Sequence, residues 1–341
     1  MTTATAEEPV AQSAPADAAA LGAAVVPTPP VAYERPDGER LIAHWGHLVA
    51  RASGLLQTPQ PETFVASLAE LDDELLTLIK HDIDRTLTVG MYAAASTGND
   101  YCAAHSLRVA LGCHLAGRVL GNWDDEALQQ LRMAALTMNI GMAVLHDQLA
   151  LQDGPLTPAQ RAEVDAHAGA SAELLESLGV KGADWLEAVR KHREVAAGPA
   201  DGQPLAVQMA RLIQRLDQVT AVQSLRAYQQ AQAPSAAARQ IYQDKDGRPD
   251  SFGAAAIKAL GIYPPGTVVR LTSEELALVL RRGTKANQPL VAAVVQDGTL
   301  RRTMKPQLRD TSQAAFTIKG GLTHAELNMR LDLAALLDLT A

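Results

Sequence analysis

Asp217 stands among apolar neighbours, Leu216 and Val219, on the side that the leucine spacing buries in a long helix. A carboxylate in that setting needs a hydrogen-bonding or charged partner, which Arg193 or a histidine can supply. His105 and His167 fall inside helical stretches as interface histidines bonded to their neighbours. His192 stands near a helix end, where the dipole favours its protonated form. The chemistry open to this set is an Asp–Arg–His polar network that ties helices together. Other reactive types are poorer candidates. Cys102 and Cys113 are eleven apart, a spacing that fits neither a zinc nor a redox motif, and both lie in an apolar stretch as buried thiols. Asp244-Lys245-Asp246-Gly247 has the opening texture of a calcium loop without its spacing or closing glutamate, and reads as a turn.

The elements that must position these residues are helical. The chain of 341 residues is 47% hydrophobic and only 4% aromatic. Alanine and leucine predominate, so packed helices are expected around a sizeable core. A net charge of −8 argues against a general electrostatic grip on nucleic acid or anionic lipid. Arg301, Arg302 and Lys305 form only a local basic patch. There is no apolar run long enough for a membrane span and no basic region ahead of the first apolar stretch. A cytoplasmic protein is expected.

Residues 1–38 are rich in Ala and Pro and read as a disordered leader. Residues 39–95 form an N-terminal helical segment, with Leu41, His44 and Leu48, then Leu68, Leu71, Leu75 and Leu78 at helical spacing. Residues 96–262 carry the main helical domain. One helix spans about 101–120 and stops at Gly121. Asp124-Asp125 opens the next, Thr157-Pro158-Ala159-Gln160 has the form of a capping box, and Asp184-Trp185-Leu186-Glu187 has the form of a second. A long helix follows from about Pro204 to Gln230. Between 263 and 310 the texture turns to short β-type runs, read as a small antiparallel appendage. Residues 311–341 form a tail with one further helix near 323–338. The fold class expected is all-α, a helical bundle with that β appendage.

Six segments between about 100 and 280, among them His105-Ser106-Leu107, Val164-Asp165-Ala166-His167, His192-Arg193-Glu194, Asp217 and Gly261-Ile262-Tyr263-Pro264-Pro265-Gly266-Thr267, stand in a telling order and spacing. By them the chain resembles the HD-GYP family of HD-domain phosphohydrolases, whose fold is an all-α, HD-domain-type bundle. His105-Ser106-Leu107-Arg108-Val109-Ala110 resembles the family's first metal-binding helix. Ile140 through Asp147 to Gly154-Pro155-Leu156-Thr157 keeps the spacing of its next loop, and Val164-Asp165-Ala166-His167 resembles the helix after it. Val189 through His192-Arg193-Glu194 sits at the paired-histidine motif, and Ala210-Arg211-Leu212-Ile213 to Asp217 at the last ligand helix. Gly261-Ile262-Tyr263-Pro264-Pro265-Gly266-Thr267 matches the C-terminal flank. The resemblance implies a fold built to hydrolyse cyclic di-GMP at a multi-metal centre, with His105 and Asp217 serving one metal and His167 and His192 another.

The chemistry departs from that pattern. The His-Asp dyad, whose carboxylate bridges the metals, is Met138-Asn139 here. Closely spaced divalent cations repel unless anionic ligands lie between them; Asn139 lacks the charge, and a Met138 thioether suits hard metals poorly. Arg193 replaces the second histidine of the pair, Met142 replaces a lysine that approaches phosphate, and Gly198 to Pro204 is a shortened form of the Gly-Tyr-Pro loop. His146-Asp147 comes too late in the alignment to be the dyad and reads as a surface pair. His105, His167, His192 and Asp217 are then remnants, able at most to hold a single iron or manganese ion. The resemblance and its losses together imply a catalytically inactive regulatory or protein-interaction module of bacterial signalling, with no cofactor. The alternative is a metal-dependent phosphodiesterase working with a reduced ligand set. A protein partner is expected, with a cyclic dinucleotide as a second candidate ligand near Arg108, Arg193 and Arg211, and homo-oligomer formation is open.

Overall fold

The computed structural model describes residues 37–93, 100–194, 202–224, 232–243, 247–296, 301–327 and 329–341. The leader expected over 1–38 and the Asp244–Gly247 turn lie largely outside them, as does most of the shortened loop at 198–204. Helix α1 (Gly38–Gln57) opens where the Asp37 side chain accepts the Arg40 N–H at 2.8 Å. It buries a stripe of Leu41, Trp45, Leu48, Ala52 and Leu56. Helix α2 (Phe64–Ala93) runs antiparallel beside it and is kinked at Asp82. Then come α3 (Tyr101–Leu120), α4 (Asp125–Thr137), a 3-10 turn (Ile140–Met142), α5 (Ala143–Leu151), α6 (Pro158–Ser177), α7 (Ala183–Lys191), α8 (Leu205–Gln223), α9 (Pro234–Tyr242) and α10 (Ser251–Leu260).

Local chemistry sets most of these boundaries. Gly121 closes α3 in the left-handed conformation at φ 78°, and the Asp124 side chain caps α4 by accepting the Ala127 N–H. Thr157 and Gln160 form a reciprocal capping box at α6, with Pro158 in the first turn. The box expected at Asp184 is absent: α7 begins at Ala183, its cap is Gly182 and no side chain bonds there. Asp184 lies inside the first turn, where its charge suits the dipole without capping.

Helix α3 is the spine. It packs on α1, α4, α8 and α10, and Leu107, Val109, Ala110, Leu111 and Cys113 on it are fully buried. A buried ion pair crosses this centre: Arg132 of α4 donates to both carboxylate oxygens of Asp72 on α2 at 2.6 and 2.7 Å, and to His114 Nδ1 of α3 at 3.1 Å. Cys102 and Cys113 are both buried, and burial pushes their thiols up, away from the thiolate form.

The C-terminal part is a five-stranded antiparallel sheet of order β4-β3-β2-β1-β5, formed by β1 (Val268–Leu271), β2 (Leu276–Arg281), β3 (Leu290–Gln296), β4 (Arg301–Asp310) and β5 (Ile318–Leu322). β5 comes from the stretch read as tail, and α11 (His324–Leu327) and α12 (Leu333–Asp338) follow it. Residues of β2 alternate between two cores. Leu276, Leu278 and Leu280 join the main helical core, while Ala277 and Val279 join an outer cluster covered by Tyr263, Phe316 and Ile318. Covering both faces explains the unbroken apolar run in the sequence. The sheet is fixed to the kinked half of α2 by Arg281–Asp82 at 3.1 Å and Arg282–Asp84 at 2.5 Å. Asp338 of α12 accepts from both Gly38 N and the buried Arg85. The N-terminal helices, the central bundle and the sheet thus share one compact unit. Among the described residues no helix is long and apolar enough to cross a membrane.

Candidate functional site

Four helices deliver the residues singled out from the sequence. His105 lies on the first turns of α3, His167 in the middle of α6, His192 at the C-cap of α7 and Asp217 near the end of α8. The structure sorts them into pairs. His105 Nε2 donates to Asp217 Oδ1 at 2.7 Å, with His105 wholly buried and the Asp217 side chain 19% exposed. Burial alone would raise the Asp217 carboxyl. The His105 hydrogen bond, with the imidazoles of His105, His192 and His146 around it, instead holds it well below the usual carboxylate range. Arg193, one of the expected partners, makes no bond to it.

His167 and His192 face each other with their Nε2 atoms 3.2 Å apart. Each Nδ1–H donates to a carbonyl of its own helix, Val164 at 2.6 Å and Val189 at 2.7 Å. That fixes the tautomer and turns two lone pairs toward one another. Burial lowers both, His192 to about 4, so protonation does not relieve the encounter at neutral pH.

The dyad positions, Met138 and Asn139, link the end of α4 to the 3-10 turn that follows it. Gly141 permits the turn to nest against α6: its N–H donates to Ser171 Oγ at 2.9 Å, and a Cβ there would stand 2.7 Å from Ser171 N. Met138 is fully buried in the main apolar core. Asn139, 3% exposed, lines a cavity of about 600 Å³ that also receives His167, Asp217, His146, Arg161 and Arg193. Its carboxamide N–H₂ is buried without a partner among the described residues. His105 and His192 lie behind this lining. Arg108 donates to Ser224 and Arg211 to Asp250, both away from the cavity.

His146-Asp147 is not a surface pair; both are 8% exposed. Asp147 reaches across to the start of α3, accepting Cys102 N–H at 2.7 Å and Gln57 Nε2–H at 2.6 Å. His146 stacks edge-on against Tyr101 and His105 and lines the cavity. The signal was legible: Ala143–Leu151 is apolar around nearly its whole circumference, which marks a helix buried on several sides. Arg161 had no comparable signal, since an exposed arginine after a capping box is ordinary.

Retention of a catalytic metal can be tested on the donor set. Three protein ligands is the usual minimum for a catalytic ion, and among the described residues no group of three His, Cys, Asp or Glu side chains converges on one point. Asp217 and His105 satisfy each other, and Asn139 contributes a neutral amide. The residues present do not fit the multi-metal centre that the sequence resemblance implies.

No family model matches the chain. It is 26% identical over 282 residues to the cyclic di-GMP phosphodiesterase PA4108 of Pseudomonas aeruginosa, an alignment covering 79% of this chain and 67% of that protein. Among solved structures it is similar to Bd1817, an HDG"Y"P protein from Bdellovibrio bacteriovorus, with a TM-score of 0.50 and 15% identity, over 67% of this chain and 73% of the other. The chain is thus similar in sequence to a cyclic di-GMP phosphodiesterase and similar in fold to an HD-GYP-type helical protein.

Proposed function

We propose that this protein is a non-hydrolysing HD-GYP-type regulatory module of bacterial cyclic di-GMP signalling, working by binding in the cytoplasm and passing its state to a protein partner. The observation that carries the reading is the self-pairing of the remnant ligands. Asp217 is bonded to His105 at 2.7 Å, and the dyad position beside the cavity is a neutral carboxamide, Asn139. A hydrolytic metal centre needs about three protein ligands and an anionic bridge; an Asp217 already bonded to His105 and a neutral Asn139 at the dyad position both argue against one here.

A second reading, a phosphohydrolase with a single iron or manganese ion, is favoured by one feature. The His167 and His192 lone pairs meet at 3.2 Å, an arrangement that a cation between them would relieve. Such an ion, when bound, would supply an activated water. His167 and His192 are the residues that would hold it, and they provide two of the required ligands. The deciding experiment is anaerobic hydrolysis of cyclic di-GMP with iron(II) or manganese(II) supplied, alongside metal analysis of the purified protein. Absent turnover and substoichiometric metal are expected. Metal-dependent turnover that disappears in Asp217→Ala would overturn the proposal.

A further inference from the structure

The misfit between donor set and metal leaves a cavity whose chemistry has changed sign. Where the resemblance implies cations bridged by a carboxylate, the structure has fixed cations and a neutral donor. Arg161 of α6 and Arg193, just beyond α7, line the mouth, and neither forms an ion pair among the described residues. Deeper in, Asn139 is 3% exposed with an unpartnered N–H₂. A buried unpaired donor costs free energy, which an acceptor entering the cavity would recover. The one carboxylate in the lining, Asp217, is held by His105. Leu149, Leu156 and Val164 form an apolar wall. About 600 Å³ lies within the range of small-molecule sites and far exceeds a bare oxyanion.

Building on the non-hydrolysing reading, we infer that this cavity binds a phosphate ester of nucleotide size intact and without metal. Arg161 and Arg193 take the phosphoryl oxygens, Asn139 donates to an acceptor of the same ligand, and the wall at Leu149, Leu156 and Val164 covers the organic part. Guanidinium groups suit phosphate because they present parallel donors with a permanent charge. The exchange of aspartate for asparagine then has a positive role: it turns a metal-bridging acceptor into a ligand-facing donor.

Isothermal titration of the full chain in excess chelator tests this, with cyclic di-GMP, GMP and inorganic phosphate as probes. Saturable binding of at least one nucleotide is expected, tighter than inorganic phosphate and weakening as salt is raised. Arg193→Ala should weaken it about tenfold to 100-fold, from about 1.5–3 kcal/mol for a charged hydrogen bond. Arg193→Lys should recover part of that loss. Asn139→Asp should weaken binding in chelator at least tenfold, because a carboxylate now faces the phosphate. A metal-centred site predicts the opposite, since the same change would restore a bridging ligand. Binding that requires manganese(II), binding unaltered in both Arg193→Ala and Asn139→Asp, or inorganic phosphate binding as tightly as the nucleotides would each overturn the inference. No binding of any probe in chelator would also overturn it, while the hydrolysis assay judges the non-hydrolysing reading separately.

Discussion

Asp72 and Arg132 offer a direct test of how the centre of the bundle is held. Their side chains are 0% and 4% exposed, and the pairing is two-pronged at 2.6 and 2.7 Å. Desolvation raises the Asp72 carboxyl even with Arg132 beside it, so the charges are kept in place mainly by each other. Asp72→Ala strands a guanidinium that cannot lose its proton, and breaking such a pair costs about 3–5 kcal/mol. At roughly 2–4 °C per kcal/mol, Tm should fall by roughly 6–20 °C. Arg132→Met should cost less, because a stranded carboxyl escapes by binding a proton. That escape has a sign. A folded-state pKa raised above the unfolded value means that the folded chain binds more protons, so stability falls as pH rises from about 4 toward the raised value. The Arg132→Met variant should therefore lose less stability relative to the wild type at pH 5.5 than at pH 8. Loss of Arg132 also removes a charge that disfavours protonated His114, which acts in the same direction. The Asp72→Leu/Arg132→Met double variant should recover most of the loss. Thermal and urea denaturation at the two pH values measure all of this. A loss under about 1 kcal/mol in Asp72→Ala, the size of a solvent-screened surface bridge, would refute the account.

Asp147→Ala removes the acceptor for the Cys102 N–H and for Gln57 at the start of α3. By analogy with a lost N-cap, a destabilisation of about 1–2 kcal/mol is expected, read by urea denaturation, whereas an unchanged midpoint would return Asp147 to the surface role expected from the sequence. His114 and His324 are each lowered to about 4 by burial, which makes the folded chain favour their neutral forms. The unfolded chain binds more protons between about pH 6.5 and 4, so stability should drop as pH falls through that window and level off below it. Tm measured from pH 7.5 to 4.5 should show this slope, and His324→Phe should make it shallower; an identical slope in the variant would rule His324 out.

What the chain announced by itself was local or periodic. Gly121, Asp124 and the Thr157–Gln160 box set helix ends because their hydrogen bonds close within a few residues, and the leucine spacing of α1 and α2 marked which faces would be buried. The order of motifs from His105 to Thr267 carried the likeness to HD-GYP proteins, and Met138-Asn139 at the dyad position was readable from the sequence alone. Partner choice was not. That Asp217 takes His105 and not Arg193, that His167 meets His192, and that His146 enters the cavity while Arg108 and Arg211 do not, all depend on how α3, α5, α6, α7 and α8 are rotated against each other. β5 escaped for the same reason: Ile318–Leu322 contains two glycines and has little strand character of its own, and becomes a strand by pairing with β1 some fifty residues earlier in the chain. Short-range signals are written in neighbouring residues, whereas the site's pairings are settled by packing between segments far apart in sequence, which only the tertiary structure decides.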